Sequence, residues 1–102
     1  MPMDWRREAR RALIKYPKAK RRNGEADQAV IAAVEFALKM QEVYTNAKER
    51  LRMVELVYFN GTHTMQGAAQ ECHYSPDVVK KWAAEIKSAV YVALMYDKGP
   101  GD

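Results

Sequence analysis

From residue 25 to about residue 44, apolar positions recur at steps of three and four: Ala26, Val30, Ala33, Val34, Ala37 and Leu38, with Gln41 continuing the same face. The Ala-rich composition favours helix, and this segment is expected to be the longest helix of the N-terminal half. Ahead of it, Asp4 is a good N-cap for a helix reaching about Lys15. Tyr16-Pro17 is expected to end that helix, because a residue preceding proline avoids the helical region, so residues 18–24 read as a basic connector. Farther on, Asn46 with Glu49 three residues later has the pattern of a capping box. Leu51, Val54, Val57 and Tyr58 follow at helical spacing before the stop at Asn60-Gly61. Residues 54–59 (VELVYF) have strand propensity, but the helical cap flanking them argues for helix.

The most specific spacing lies in residues 64–86, TMQGAAQECHYSPDVVKKWAAEI, which reads as a helix-turn-helix. Two helices that cross steeply need a small residue where their backbones approach, and Ala69 fills that role, with Ala68 and Cys72 on the inward face. His73 falls where the turn calls for a left-handed backbone, a conformation in which His is enriched among non-glycine residues. Tyr74 is expected to pack under the turn. Ser75 then caps a new helix, Pro76 suits its first position, and Asp77 complements the positive end of its dipole. Val79, Trp82, Ala83 and Ile86 form the core side of that helix. The fold expected is therefore all-α, a small bundle of four to five helices with a C-terminal helix-turn-helix. It divides into a basic N-terminal helix and connector (1–22), a helical body (23–96) with the motif at 62–88, and a flexible tail (97–102), one domain overall.

With 102 residues, 48% of them hydrophobic and 29% charged, one modest core is affordable and a large multidomain enzyme is excluded. The single cysteine, Cys72, forms no internal disulfide, and the longest apolar run, residues 89–96, falls well short of the ~18 residues a membrane span needs. A cytoplasmic location, in a host cell, is expected, with no membrane partner. The formal charge of +4 conceals an asymmetry: residues 1–22 hold nine of the 17 Lys and Arg, against Asp4 and Glu8 alone. A basic block on a mildly acidic body suits a polyanion, since neutralised phosphates release counterions. A solvated helix face with a lysine-rich loop accounts for the same charges without a ligand.

A helical wheel sets Asp77, Lys80, Lys81, Ala84 and Ser88 opposite Val79. A helix in the major groove needs short or polar residues near its N-terminus and cations beyond them, so Asp77 can accept from a cytosine amino group and Lys80 or Lys81 can donate to guanine. The expected DNA-binding set is Ser75, Asp77, Val78, Lys80, Lys81, Ala84 and Lys87 at the groove and its phosphates, with Thr62, Thr64 and Gln66 at the backbone. Arg6, Arg10, Lys18, Lys20, Arg21 and Arg22 are expected to add sequence-independent affinity. An ordinary helical hairpin with a solvated Lys-Lys face remains the plain alternative. His63, Cys72 and His73 have poor spacing for a metal, and Cys72 has no base and orienting group placed to make it a nucleophile. There is no Gly-rich phosphate loop. Neither an enzyme nor a cofactor is expected.

On residues 13–17 (LIKYP), the central helix, residues 52–60 (RMVELVYFN) and the motif above, the chain resembles phage late-gene transcriptional regulators of the RinA and ArpU type. That resemblance implies a small DNA-binding activator of a phage or prophage, whose C-terminal half is similar to the promoter-reading region of sigma factors. It also implies that residues 52–60 form a support helix, that the chain from Ser75 onward reads double-stranded DNA, and that host RNA polymerase is a partner. Two alternatives stand beside it: a small DNA-recognition subunit of a phage packaging motor, and an interaction module that contacts polymerase without touching DNA. Residues 89–96 are apolar all round, so they either form the central post of the domain or offer one face to a second copy in a homodimer.

Overall fold

The computed structural model describes residues 4–98, and among them the chain forms five α-helices and no strand. They are α1 (Trp5–Arg22), α2 (Gln28–Met40), α3 (Ala47–Val54, prolonged by a π-helical turn over Glu55–Phe59), α4 (Met65–Cys72) and α5 (Pro76–Lys98). Short 3₁₀ turns, Glu25–Asp27 and Gln41–Val43, lead into and out of α2. α5 is the post around which the others gather. Its Val79, Ala83, Ile86 and Val90 are buried, and it packs most extensively on α2, then on α1 and α4. Leu13, Val34, Met53 and Val54 complete the core. Alanines at Ala9, Ala12, Ala33, Ala37, Ala68 and Ala69 line the contacts and let the helix backbones approach closely. No helix among the described residues is long and apolar enough to cross a membrane.

The first helix departs from the sequence expectation. It passes through Pro17 and ends only at Asn23, whose left-handed backbone (φ 50°) returns its N–H to the Ala19 carbonyl at 2.7 Å. The expected basic connector is therefore helical as far as Arg22, and α1, not α2, is the longer N-terminal helix. Proline inside a helix costs about 3 kcal/mol, and tertiary contacts on both sides of it offset that cost here. Tyr16 stacks on Phe59 with ring centroids 5.1 Å apart and donates its hydroxyl to Glu35 at 2.7 Å. Lys20 pairs with the same carboxylate, and Leu13 and Ala19 are buried.

α3 begins where expected but without the capping box. The Asn46 side chain makes no cap and instead accepts from Arg50 Nε at 2.9 Å. Arg50 turns into the core, which swings Leu51, expected inside, to the surface. The π-helical turn, closed by Asn60 N–H to Glu55 carbonyl at 2.8 Å, then shifts the face again, so that Leu56 and Tyr58 point inward. Gly61 takes a positive φ of 66°, and the Thr62 and His63 amides both bond the Leu56 carbonyl, which ends the helix. At the other terminus, α5 stays helical to Lys98 where a flexible tail was expected from residue 97; the rest of that tail, residues 99–102, lies outside the described residues.

Candidate nucleic-acid interface

The turn between α4 and α5 forms as its residues dictate. Thr64 caps α4 by accepting from the Gly67 amide at 3.1 Å. His73 adopts the left-handed backbone, φ 63°, and the Tyr74 amide bonds back to the Ala69 carbonyl at 3.0 Å. Ser75 Oγ accepts from the Val78 amide at 3.3 Å and starts α5. Ala68, Ala69 and Cys72 on one side and Val79, Trp82 and Ala83 on the other are buried between the two helices and the body. Tyr74 remains partly exposed but meets the Trp82 ring edge-on at 4.7 Å. Cys72 is committed to the core, its thiol directed to the Glu49 carbonyl at 3.6 Å, with its pKa pushed up by burial.

Asp77, Val78, Lys80, Lys81 and Ala84 are all exposed along the first turns of α5, as are Ser75, Thr62, Thr64 and Gln66 at the turn and ahead of α4. Thr62 Oγ1 shares a 2.9 Å hydrogen bond with His63 Nδ1. Lys87 lies two turns below Lys80 on the same side of α5 and is half-buried. There the N-terminal turns of α1 arrive: Trp5 meets Tyr91 with centroids 6.1 Å apart, and Arg6 lies over the Trp5 ring at 4.7 Å. Burial lowers the Lys87 pKa, and the charges of Arg6 and Arg10 lower it further, with Asp4 opposing. Three cations from two helices thus gather near one spot, in line with the exposed Lys80 of α5.

The remaining basic residues divide. Lys20 is bound to Glu35 at 2.5 Å, and Arg22 grips Asp27 at 2.6 Å; both carboxylates fall below their ordinary pKa, chiefly through those hydrogen bonds. Lys20 and Arg22, expected to contact phosphate, are therefore occupied in tying α1 to the start of α2. Lys18 and Arg21 are exposed and make no ion pair among the described residues, but they stand about 18 Å or more along α1 from Arg6. Together with Arg7, Arg11 and Lys15 they form a basic stripe on the outer face of α1.

Beneath the α4–α5 turn sits a hub that sequence inspection missed. Arg50 is buried; its guanidinium donates to Gln41 Oε1 and Glu85 Oε1, each at 2.8 Å, and to Asn46. It also lies 3.7 Å from the Tyr44 ring centroid and 5.4 Å from that of Trp82. This fixes the rotation of α5 against α3 and the end of α2, and hence the direction its lysines face. The Asn46–Arg50 spacing of four was the one local signal; Glu85 lies 35 residues away. No family model matches this chain, and no curated protein or solved structure matches it.

Proposed function

We propose that the chain is a sequence-specific double-stranded DNA-binding transcriptional regulator, with α4 and α5 as a helix-turn-helix and the first turns of α5 in the major groove. The observation that carries this reading is the alignment of Lys80 and Ala84 with the Arg6, Arg10 and Lys87 cluster on one exposed side of α5. Burial and the charges of Arg6 and Arg10 depress the Lys87 pKa, a strain that a polyanion relieves, and base-reaching residues lie next to it. Asp77 and Lys81 read base edges, Arg6, Arg10 and Lys87 take phosphates, and the Met65 and Gln66 amides at the start of α4 hold the opposite strand's backbone. The outer stripe of α1 supplies sequence-independent affinity. In keeping with the resemblance to phage late-gene regulators, activation would follow from contact with host RNA polymerase.

The test is selection of duplexes from a randomised pool by the full chain, followed by titration of the enriched and a scrambled duplex across a salt series. The reading expects at least ~10³-fold preference that persists as salt rises. Lys81→Ala should cost about 1–3 kcal/mol at one base pair and relax specificity there, whereas Arg10→Ala should weaken all sequences alike and lower the salt slope by ~1. Failure to enrich any sequence, with equal and salt-sensitive binding throughout, would overturn it.

A further inference from the structure

The antiparallel pair α2 and α5 carries a second apolar stripe that the chain's own core leaves uncovered. On α2, Ala29, Ala32 and Phe36 follow at steps of three and four, and on α5 Ala89, Val92 and Tyr96 do the same. Phe36 is 49% exposed, Val92 47% and Tyr96 78%. Between them runs an open groove of about 340 Å³ floored by Ala32, Ala33 and Ala93. Steps of three and four on two neighbouring antiparallel helices are the pattern by which helices pair into four-helix bundles. Large knobs beside a groove of alanines make the surface complementary to itself, which is what a two-fold interface requires.

We propose that this face pairs with a second copy of the chain, α2 lying antiparallel to its counterpart and crossing it at Ala32. Charge agrees with that register. Glu25, Ala32 and Lys39 succeed one another at seven-residue steps, so a two-fold through Ala32 brings Lys39 of each copy to Glu25 of the other and sets Phe36 level with Gln28, beside Ala29. The stripe itself is uncharged, and no cation of α1 lines the groove, so the two copies do not meet across the basic residues of α1. With the 3₁₀ turns at its two ends, α2 is about 27 Å long from residue 25 to residue 43, and two helices side by side are about 20 Å wide. Two copies would then bury roughly 1,000 Å², the lower bound for a specific interface.

The inference goes beyond the DNA reading and does not depend on it, because self-association is measured without DNA. Sedimentation velocity of the full chain over a concentration series should give a species of twice 11.7 kDa. Phe36→Asp should raise the dissociation constant at least ~30-fold, and its helical circular dichroism should match the wild type because Phe36 is outside the core. Lys39→Glu should weaken the pair, and Glu25→Lys added to it should restore it. Ala32→Cys should form an intermolecular disulfide under mild oxidation, while Ala84→Cys, on the DNA-facing side, should not. A monomer at all concentrations, a ring larger than two, or a dimer indifferent to Phe36→Asp would each overturn the proposal, whatever the DNA titration shows.

Discussion

Replacing Arg50 by alanine tests the central structural argument, that one buried guanidinium sets the orientation of α5. The substitution removes hydrogen bonds to Glu85, Gln41 and Asn46 and a cation stacked on Tyr44, and it leaves Gln41 Oε1 buried without that donor. Hydrogen bonds to a charged group are worth about 1.5–3 kcal/mol each but do not add, and breaking a buried pair by deleting one partner costs about 3–5 kcal/mol. The Arg50 side chain is only 7% exposed, which places the expected loss in that range. Glu85 is 39% exposed, so Glu85→Ala should cost less, about 1–2 kcal/mol, with Gln41, Asn46 and Tyr44 still holding the guanidinium. Arg50→Lys keeps the charge but loses the planar fork that spans three acceptors, and should fall between them at about 2 kcal/mol. Urea titration followed by far-ultraviolet circular dichroism measures all three in a chain small enough for two-state analysis. Since about 1 kcal/mol shifts the melting temperature of a domain this size by ~4–8 °C, Arg50→Ala should lower it by at least ~12 °C. A loss below about 1 kcal/mol, or Arg50→Lys equal to wild type, would refute the reasoning.

Burial first, and then its bond to Glu35, raises the Tyr16 pKa to about 12. The stability this gives is whole below the unfolded phenol's value of about 10 and is lost as pH rises through about 12; phenolate absorbance should show one tyrosine titrating late, and Glu35→Gln should bring it earlier. Asp27 works in the opposite direction. Arg22 and then the Gly24 amide lower its pKa, so its contribution is present above about pH 4 and disappears as pH falls through the lower folded value, and Asp27→Asn should flatten the acid limb of a stability profile. His73→Gly should stabilise the fold by up to about 1 kcal/mol by relieving the left-handed backbone at φ 63°, measured by the same urea titration. Lys87→Met should raise the urea midpoint, by removing a desolvated charge crowded by Arg6 and Arg10, while lowering the salt slope of DNA binding by ~1; a lowered midpoint would contradict the crowding.

Where local chemistry decides structure, the sequence by itself was sufficient. The α4–α5 turn is the plainest case. Ser75 and Pro76 can satisfy or dispense with first-turn amides, and His73 tolerates the left-handed region, so the turn and the cap of α5 were legible from their neighbours alone. The helical class and the inward set Val79, Trp82, Ala83 and Ile86 followed from periodicity in the same way. Tertiary structure decided whatever depended on partners far along the chain. Pro17 did not stop α1 because Phe59 and Glu35 hold Tyr16 from elsewhere in the fold. Asn46 gave up its cap to Arg50, whose other acceptor, Glu85, no local window contains. The basic block was visible as composition, but only packing separated Lys20 and Arg22, bound to carboxylates of the α2 region, from Arg6 and Arg10, gathered at Lys87. A charge count is a property of the chain; which charges stay available to a ligand is a property of the surface that folding leaves.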